Sequence, residues 1–192
     1  MKSSRLSRPD AAAITLRTMS SSAPIPEIDV DDQPGHLIRR LHQIAVGIFV
    51  QETDSLGITP MQYAALQTVA QHPNIDQRSL SRAIALDAST TGGVIDRLEA
   101  RQLIERRTSE TDRRVRLLHL TASGLSLLDH ITPMMLNAQR RILDPLTPEQ
   151  QRQFMQLLEL LVETNNDHSR APSEARRPDA SLGLAVATSH AR

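Results

Sequence analysis

Apolar positions recur every three to four residues through most of the middle of the chain, and one short region alternates instead. From Gly35 to Phe49, Leu37, Leu41, Ile44 and Ile48 form one stripe, which Ile38, Ala45 and Phe49 widen into a broad face. That spacing predicts an amphipathic helix. Thr59-Pro60-Met61-Gln62 has the form of a capped helix start, with Thr at the cap, Pro at the first helical position and Gln three after the cap. The helix it opens carries Tyr63, Leu66 and Val69 and stops at His72-Pro73. Asp76 opens a short third helix with Leu80, Ala83 and Ile84. A tight break at Leu86-Asp87-Ala88 leads into a fourth, from about Ser89 to Arg101, with Val94, Ile95 and Leu98 inward.

The period then changes. Leu103–Arg107 and Val115–Leu120 read as two short strands, joined by a polar loop from Thr108 to Arg114: a hairpin with a charged tip. Thr121 caps a long helix to about Leu143, which Pro133 is expected to bend or break. Thr147-Pro148-Glu149-Gln150 repeats the capped start, before a last helix with Phe154, Leu157, Leu158 and Leu161. The pattern predicts a mainly α fold with a small β-hairpin. Residues 58–121 form a winged helix-turn-helix, and the helices in 33–53 and 122–164 flank it. A module of about 65 residues cannot cover the broad apolar faces of those flanking helices, so they are expected to bury each other in a dimer.

Residues 1–32 and 165–192 read as a disordered arm and tail, rich in Ser, Pro and Asn with little apolar periodicity. Scarce aromatics (no Trp, one Tyr and two Phe) predict an aliphatic core. The absence of Cys excludes disulfides, thiolate metal sites, Cys nucleophiles and thiol redox sensing. No apolar run reaches membrane-spanning length, and the basic N-terminus lacks the apolar segment of a secretory signal, so a cytoplasmic protein without membrane contact is expected. No two His stand at helical ligand spacing, and no phosphate loop, dinucleotide turn or nucleophile elbow occurs. An enzyme, a metal site and a cofactor are therefore not expected.

Net charge is zero, 22 basic against 22 acidic residues, so any argument for nucleic acid must be local. Between Arg97 and His119 there are seven Arg against four acids. The fourth helix starts Ala88-Ser89-Thr90-Thr91-Gly92-Gly93, and the second helix of a helix-turn-helix presents its N-terminal residues to a major groove. Ser89, Thr90 and Thr91 are then candidates for phosphate or base contact, or Ser89 and Thr90 merely cap the helix. Arg97 either reaches a phosphate or pairs with Asp96 or Glu99. On the hairpin tip, Arg113 and Arg114 suit the negative potential of a minor groove. Asp112 beside them makes sense if it orients an Arg by a bidentate pair.

These motifs, in this order, resemble the MarR family of bacterial transcriptional regulators. The resemblance rests on Leu56–Tyr63, Asp87–Glu99, Leu103–Arg106, and Asp112-Arg113-Arg114 with Leu118-His119-Leu120-Thr121, and its helix order extends over about 33–164. It implies a homodimer on palindromic double-stranded DNA, with Arg114 in the minor groove, Asp112 orienting it and Arg113 on a phosphate. It also implies repression relieved by a small aromatic acid or phenol, held between the winged module and the dimerisation helices.

In the first helix, His36, Arg40, Gln43 and Gly47 recur along the edge of the apolar face. A cation beside an apolar wall suits an aromatic carboxylate. Arg39 is a second candidate cation, and the resemblance adds Gln62 and Tyr63. The plain alternative is that Arg39 and Arg40 are solvated or pair with Glu52, Asp54 or Glu163. His36–Gln43 is similar to the first helix of members that regulate breakdown of aromatic or N-heteroaromatic acids. The competing function is a winged-helix regulator without an effector, acting through protein contacts; the Arg-rich wing argues against it.

Overall fold

The computed structural model describes residues 29–169, together with 171 and 173. Most of the expected arm and tail lies outside the described residues. The elements are α1 (Pro34–Thr53), α2 (Pro60–Gln71), β1 (Ile75–Asp76), α3 (Gln77–Ala83), α4 (Ala88–Ala100), β2 (Ile104–Thr108), β3 (Arg116–Leu120), α5 (Ala122–Leu143) and α6 (Pro148–Thr164). Two 3-10 turns, Asp54–Leu56 and Asn166–His168, follow α1 and α6. The second falls inside the stretch expected to lack structure, where Asn166 also exchanges two hydrogen bonds with the backbone of Ser173.

The predicted caps are present at both Thr-Pro starts. Thr59 accepts from the Gln62 amide while the Gln62 carboxamide oxygen accepts from the Thr59 amide, and Thr147 with Gln150 does the same. Asp76 caps α3 and Thr121 caps α5. The turn between α3 and α4 passes through Ala85 at φ 52, the left-handed conformation, and is closed by the Leu86 amide on the Ser81 carbonyl at 3.0 Å.

Three expectations change. Asp87, not Ser89 or Thr90, caps α4. The hairpin is part of a three-stranded antiparallel sheet, because Ile75 and Asp76 pair with Leu118 and Leu117 on β3; two residues are too short to show a period. And α5 continues through Pro133. Proline removes one rung of the helical ladder there, and the turns on either side hold.

The core is aliphatic, built from Leu66 of α2, Leu80 of α3, Ile95 and Leu98 of α4, Ile104 and Leu118 of the sheet, and Ile131 of α5, all essentially inaccessible. The core places α4 and the wing on one rigid body. The flanking helices differ: α6 has no buried residue, and its Leu157, Leu160, Leu161 and Val162 are each more than half exposed. Leu37 and Ile38 at the start of α1 are exposed to the same degree. No helix among the described residues is long and apolar enough to cross a membrane.

Candidate nucleic-acid interface and effector face

The N-terminus of α4 is organised by Asp87. Its carboxylate accepts from the Thr90 amide at 2.9 Å and the Thr90 hydroxyl at 2.6 Å. These bonds, the hydroxyl first, hold the Asp87 carboxyl below its usual range. Thr91 does not face outward as expected: it is fully buried and its hydroxyl donates to the Asp87 carbonyl at 2.9 Å. Helical rotation alone turns it into the core, one position past the exposed Ser89 and Thr90. Gly93 has open space where a Cβ would stand, so α4 can approach another surface closely there, whereas Gly92 lies against the Gln77 side chain.

The wing is tied to α4 from behind. Arg106 on β2 forms ion pairs with Asp96 and Glu99, and these outweigh the burial that would lower its pKa. Arg101, just after α4, donates to the Gly57 and Leu56 carbonyls at 2.6 and 3.0 Å. On the strands Arg107 pairs with Glu105, and Arg116 donates to the Thr108 hydroxyl. Of the seven Arg in this stretch, three therefore keep uncommitted guanidiniums among the described residues: Arg97, Arg113 and Arg114, all exposed.

The wing tip is a folded turn. The Ser109 hydroxyl accepts from the Thr111 and Asp112 amides, both at 3.3 Å, and the Ser109 amide donates to the Val115 carbonyl at 3.0 Å. Asp112 was expected to grip the Arg114 guanidinium; instead its carboxylate accepts from the Arg114 backbone amide at 2.9 Å. It fixes the backbone from which Arg114 projects, as Asp does in short turns. One interface candidate the sequence reading passed over is Arg78, exposed in the first turn of α3, the helix that crosses the phosphate backbone in this motif. Its signal is a basic residue two after the Asp76 cap.

On α1, His36, Arg39 and Gln43 form one cluster, with His36 half-buried and Arg39 and Gln43 exposed. Arg39 donates to the Gln43 carboxamide at 3.1 Å and lies 3.5 Å from His36 Nδ1, while His36 Nε2 is 3.4 Å from Asp31. Arg40 stands apart, with no partner among the described residues, so the cation beside His36 and Gln43 is Arg39 and not Arg40. Glu52 is taken by Asn137 and Arg141 of α5, at 2.7 and 2.5 Å, and is not a partner of either cation. Gln62 is buried, and its carboxamide oxygen accepts from the Thr59 amide in the cap. Tyr63 is half-buried; burial raises its phenol pKa, and a hydrogen bond with Thr132 of α5 opposes that rise. The α1 cluster is thus brought together, while Gln62 and Tyr63 belong to a different helix with different partners. No group of three metal-ligating side chains occurs among the described residues.

An amide-pinned recognition helix, a wing with free guanidiniums and a sheet of order β1-β3-β2 define a winged helix-turn-helix DNA-binding fold. The MarR family model matches residues 58–115. The HTH-type transcriptional repressor NicR of Pseudomonas putida is 36% identical over 119 residues, covering 61% of this chain and 75% of NicR. BpsR of Bordetella bronchiseptica, solved in a study of how 6-hydroxynicotinic acid regulates its DNA binding, is 29% identical with a TM-score of 0.68, covering 71% of this chain and 97% of BpsR. The PcaV regulator of Streptomyces coelicolor with its natural ligand is 29% identical with a TM-score of 0.66, covering 72% of this chain and 98% of PcaV. The chain belongs to the MarR family.

Proposed function

We propose that the chain is a homodimeric repressor that holds a palindromic operator and releases it on binding a small aromatic or N-heteroaromatic carboxylate. The observation that carries the DNA-binding part is the pinned wing tip: Arg113 and Arg114 project free from a turn fixed by Ser109 and Asp112, on the same rigid body as α4. On this reading α4 enters a major groove with Ser89 and Thr90 leading, Arg97 meets a phosphate, and the wing enters the adjacent minor groove. Two such modules need a fixed separation of about one helical turn, ~34 Å. The apolar faces of α1 and α6 supply the contact that sets it, and the protein acts in the cytoplasm on the genome.

The effector class is supported by BpsR, whose DNA binding 6-hydroxynicotinic acid regulates, and by the cationic edge of α1, where Arg39 and Arg40 stand beside apolar side chains. His36 and Gln43, beside Arg39, would complete a polar frame for the ring substituents. A ligand shifts the spacing of the two recognition helices only by its difference in affinity for the two spacings. The test is a gel shift of the purified protein on the DNA flanking its own coding sequence. Retardation of that duplex in preference to a random one at moderate salt supports the reading; equal retardation of both sinks it.

A further inference from the structure

The C-terminal end of α4, the end away from Ser89 and Thr90, is held by two different helices. Its last turn closes on Gln102, whose φ of 57 turns the chain back so that the Leu103 amide reaches the Leu98 carbonyl at 2.9 Å. From α5, the hydroxyl of the Thr121 cap donates to the Gln102 carbonyl at 2.6 Å. From the α1 side, the Leu56 and Gly57 carbonyls accept from the Arg101 guanidinium at 3.0 and 2.6 Å. Those carbonyls end the 3-10 turn that follows α1, where Gly57 takes the left-handed conformation at φ 57. Carbonyls at a helix end have no partner within the helix, and the two-pronged guanidinium satisfies both at once. Just before that turn, Glu52 fixes α1 to α5 by accepting from Asn137 and Arg141 at 2.7 and 2.5 Å. Arg101 therefore joins the end of α4 to the α1–α5 seam through an anchored turn.

We propose that Arg101 is a positioning residue: it sets the angle of the recognition helix against the flanking helices, and with it the half-site spacing that the protein accepts. The inference rests on the reading of the chain as a homodimer on a two-half-site operator. The contacts of Gln102 and Leu103 with α5 form one hinge, about which α4 can tilt. Arg101 holds α4 to a second helix and fixes the angle about that hinge. The 13 residues of α4 place its N-terminus about 18 Å from this joint, at ~1.5 Å per residue. A tilt of about 10° there moves Ser89 and Thr90 by about 3 Å, close to the ~3.4 Å rise of one base pair. Two-fold symmetry applies the same tilt to both modules, so their separation changes by twice that amount. Arg101 spends its donors on protein carbonyls at the far end of α4, so it acts on geometry and not on phosphate charge.

The test measures the affinity of full-length wild type, Arg101→Met and Arg101→Lys for four duplexes. Three carry the half-sites footprinted in the flanking DNA, with the gap native, one base pair shorter or one base pair longer; the fourth is random. Met keeps the aliphatic stem without the donors, and Lys keeps the charge without the fork. Wild type should prefer the native gap. Arg101→Met should lose about tenfold on that duplex, the weight of two exposed hydrogen bonds, and little on the altered gaps, so its spacing profile flattens. Its affinity for random DNA and its salt slope should match wild type, because no phosphate contact is lost. Arg101→Lys should fall between the two, and it decides by the same outcomes if Arg101→Met does not fold. Variants that sediment like wild type and keep its helical signal, yet show its spacing profile unchanged, overturn the inference. So does an equal loss on all four duplexes. A wild type indifferent to the gap overturns the two-half-site reading, and the inference with it.

Discussion

Gly124 sits with its backbone against the carbonyl of Leu103: a Cβ built on Gly124 would lie 2.0 Å from that oxygen. The same carbonyl accepts from the Thr121 amide at 3.1 Å, so the first turn of α5 is pressed onto the start of β2. The contact joins the wing to the helix that leads into the flanking pair. Neither atom belongs to a flexible side chain, so nothing can move aside cheaply. Gly124→Ala should destabilise the protein by about 3 kcal/mol, the upper range for overpacking, in spite of Ala's better helix propensity. Chemical denaturation checks this; unchanged stability would mean that α5 does not dock on Leu103 in this way.

The wing predicts a graded effect on DNA. Arg114→Ala should weaken operator binding by roughly 1–3 kcal/mol with the dimer intact, the range for a specific groove contact. Arg97→Ala should weaken binding to all sequences alike and lower the slope of log affinity against log salt by about 1, as loss of a phosphate contact does. Arg106→Ala should also reduce affinity, but with lowered thermal stability, because Arg106 holds the wing to Asp96 and Glu99. Fluorescence anisotropy across a salt series separates the three. Equal salt slopes for wild type and Arg97→Ala would remove the phosphate assignment.

The exposed leucines of α6 predict the assembly state. Leu157→Asp combined with Leu161→Asp should convert the dimer to a monomer in analytical ultracentrifugation and abolish tight operator binding. The core residues Leu66, Ile95 and Leu118 lie in the winged module and are untouched by this change, so the monomer should keep its helical signal. A double variant that sediments as a dimer would place the interface elsewhere.

Acid should loosen the seam between α1 and α5. A hydrogen bond from Asn137 and then the Arg141 guanidinium hold the Glu52 carboxyl below its usual range. A depressed folded-state pKa means that this contribution is complete above the ordinary Glu value of about 4.3 and is lost as pH falls through the depressed one. The melting temperature of wild type should fall as pH drops below about 4, while Glu52→Gln should melt lower at neutral pH and fall less steeply. Parallel melting curves for the two proteins against pH would show that Glu52 is not the group responsible.

The helices and their order were legible because most starts carry their own cap chemistry and each face its own period; α1, whose Gln33 makes no side-chain cap, was legible from its period alone. Thr59, Asp76, Thr121 and Thr147 marked four N-termini that are present. What stayed hidden was tertiary. Ile75 and Asp76 carry no strand period and pair only because β3 lies beside them. Thr91 is polar by type and buried by helical phase. The arginine excess marked the stretch from α4 to the wing as the candidate DNA face, and the partners of Arg101, Arg106, Arg107 and Arg116 reduce its seven candidates to three. Asp112 was correctly placed at the tip, yet which donor it would choose, side chain or backbone, is a matter of turn geometry. On α1, the three- and four-residue spacings from His36 admitted both Arg39 and Arg40, and rotamer packing chose Arg39 as the neighbour of His36 and Gln43.

The central claim is that a small aromatic carboxylate empties the operator. Its most direct test is anisotropy of the labelled flanking duplex bound by the full-length protein, titrated with 6-hydroxynicotinate and, in parallel, with 4-hydroxybenzoate and benzoate. The account predicts a saturable fall in anisotropy to that of free DNA with at least one of these acids, shifted to higher concentration by Arg39→Ala or Arg40→Ala with DNA affinity retained. Anisotropy that stays at the bound value through millimolar amounts of all three acids would contradict it.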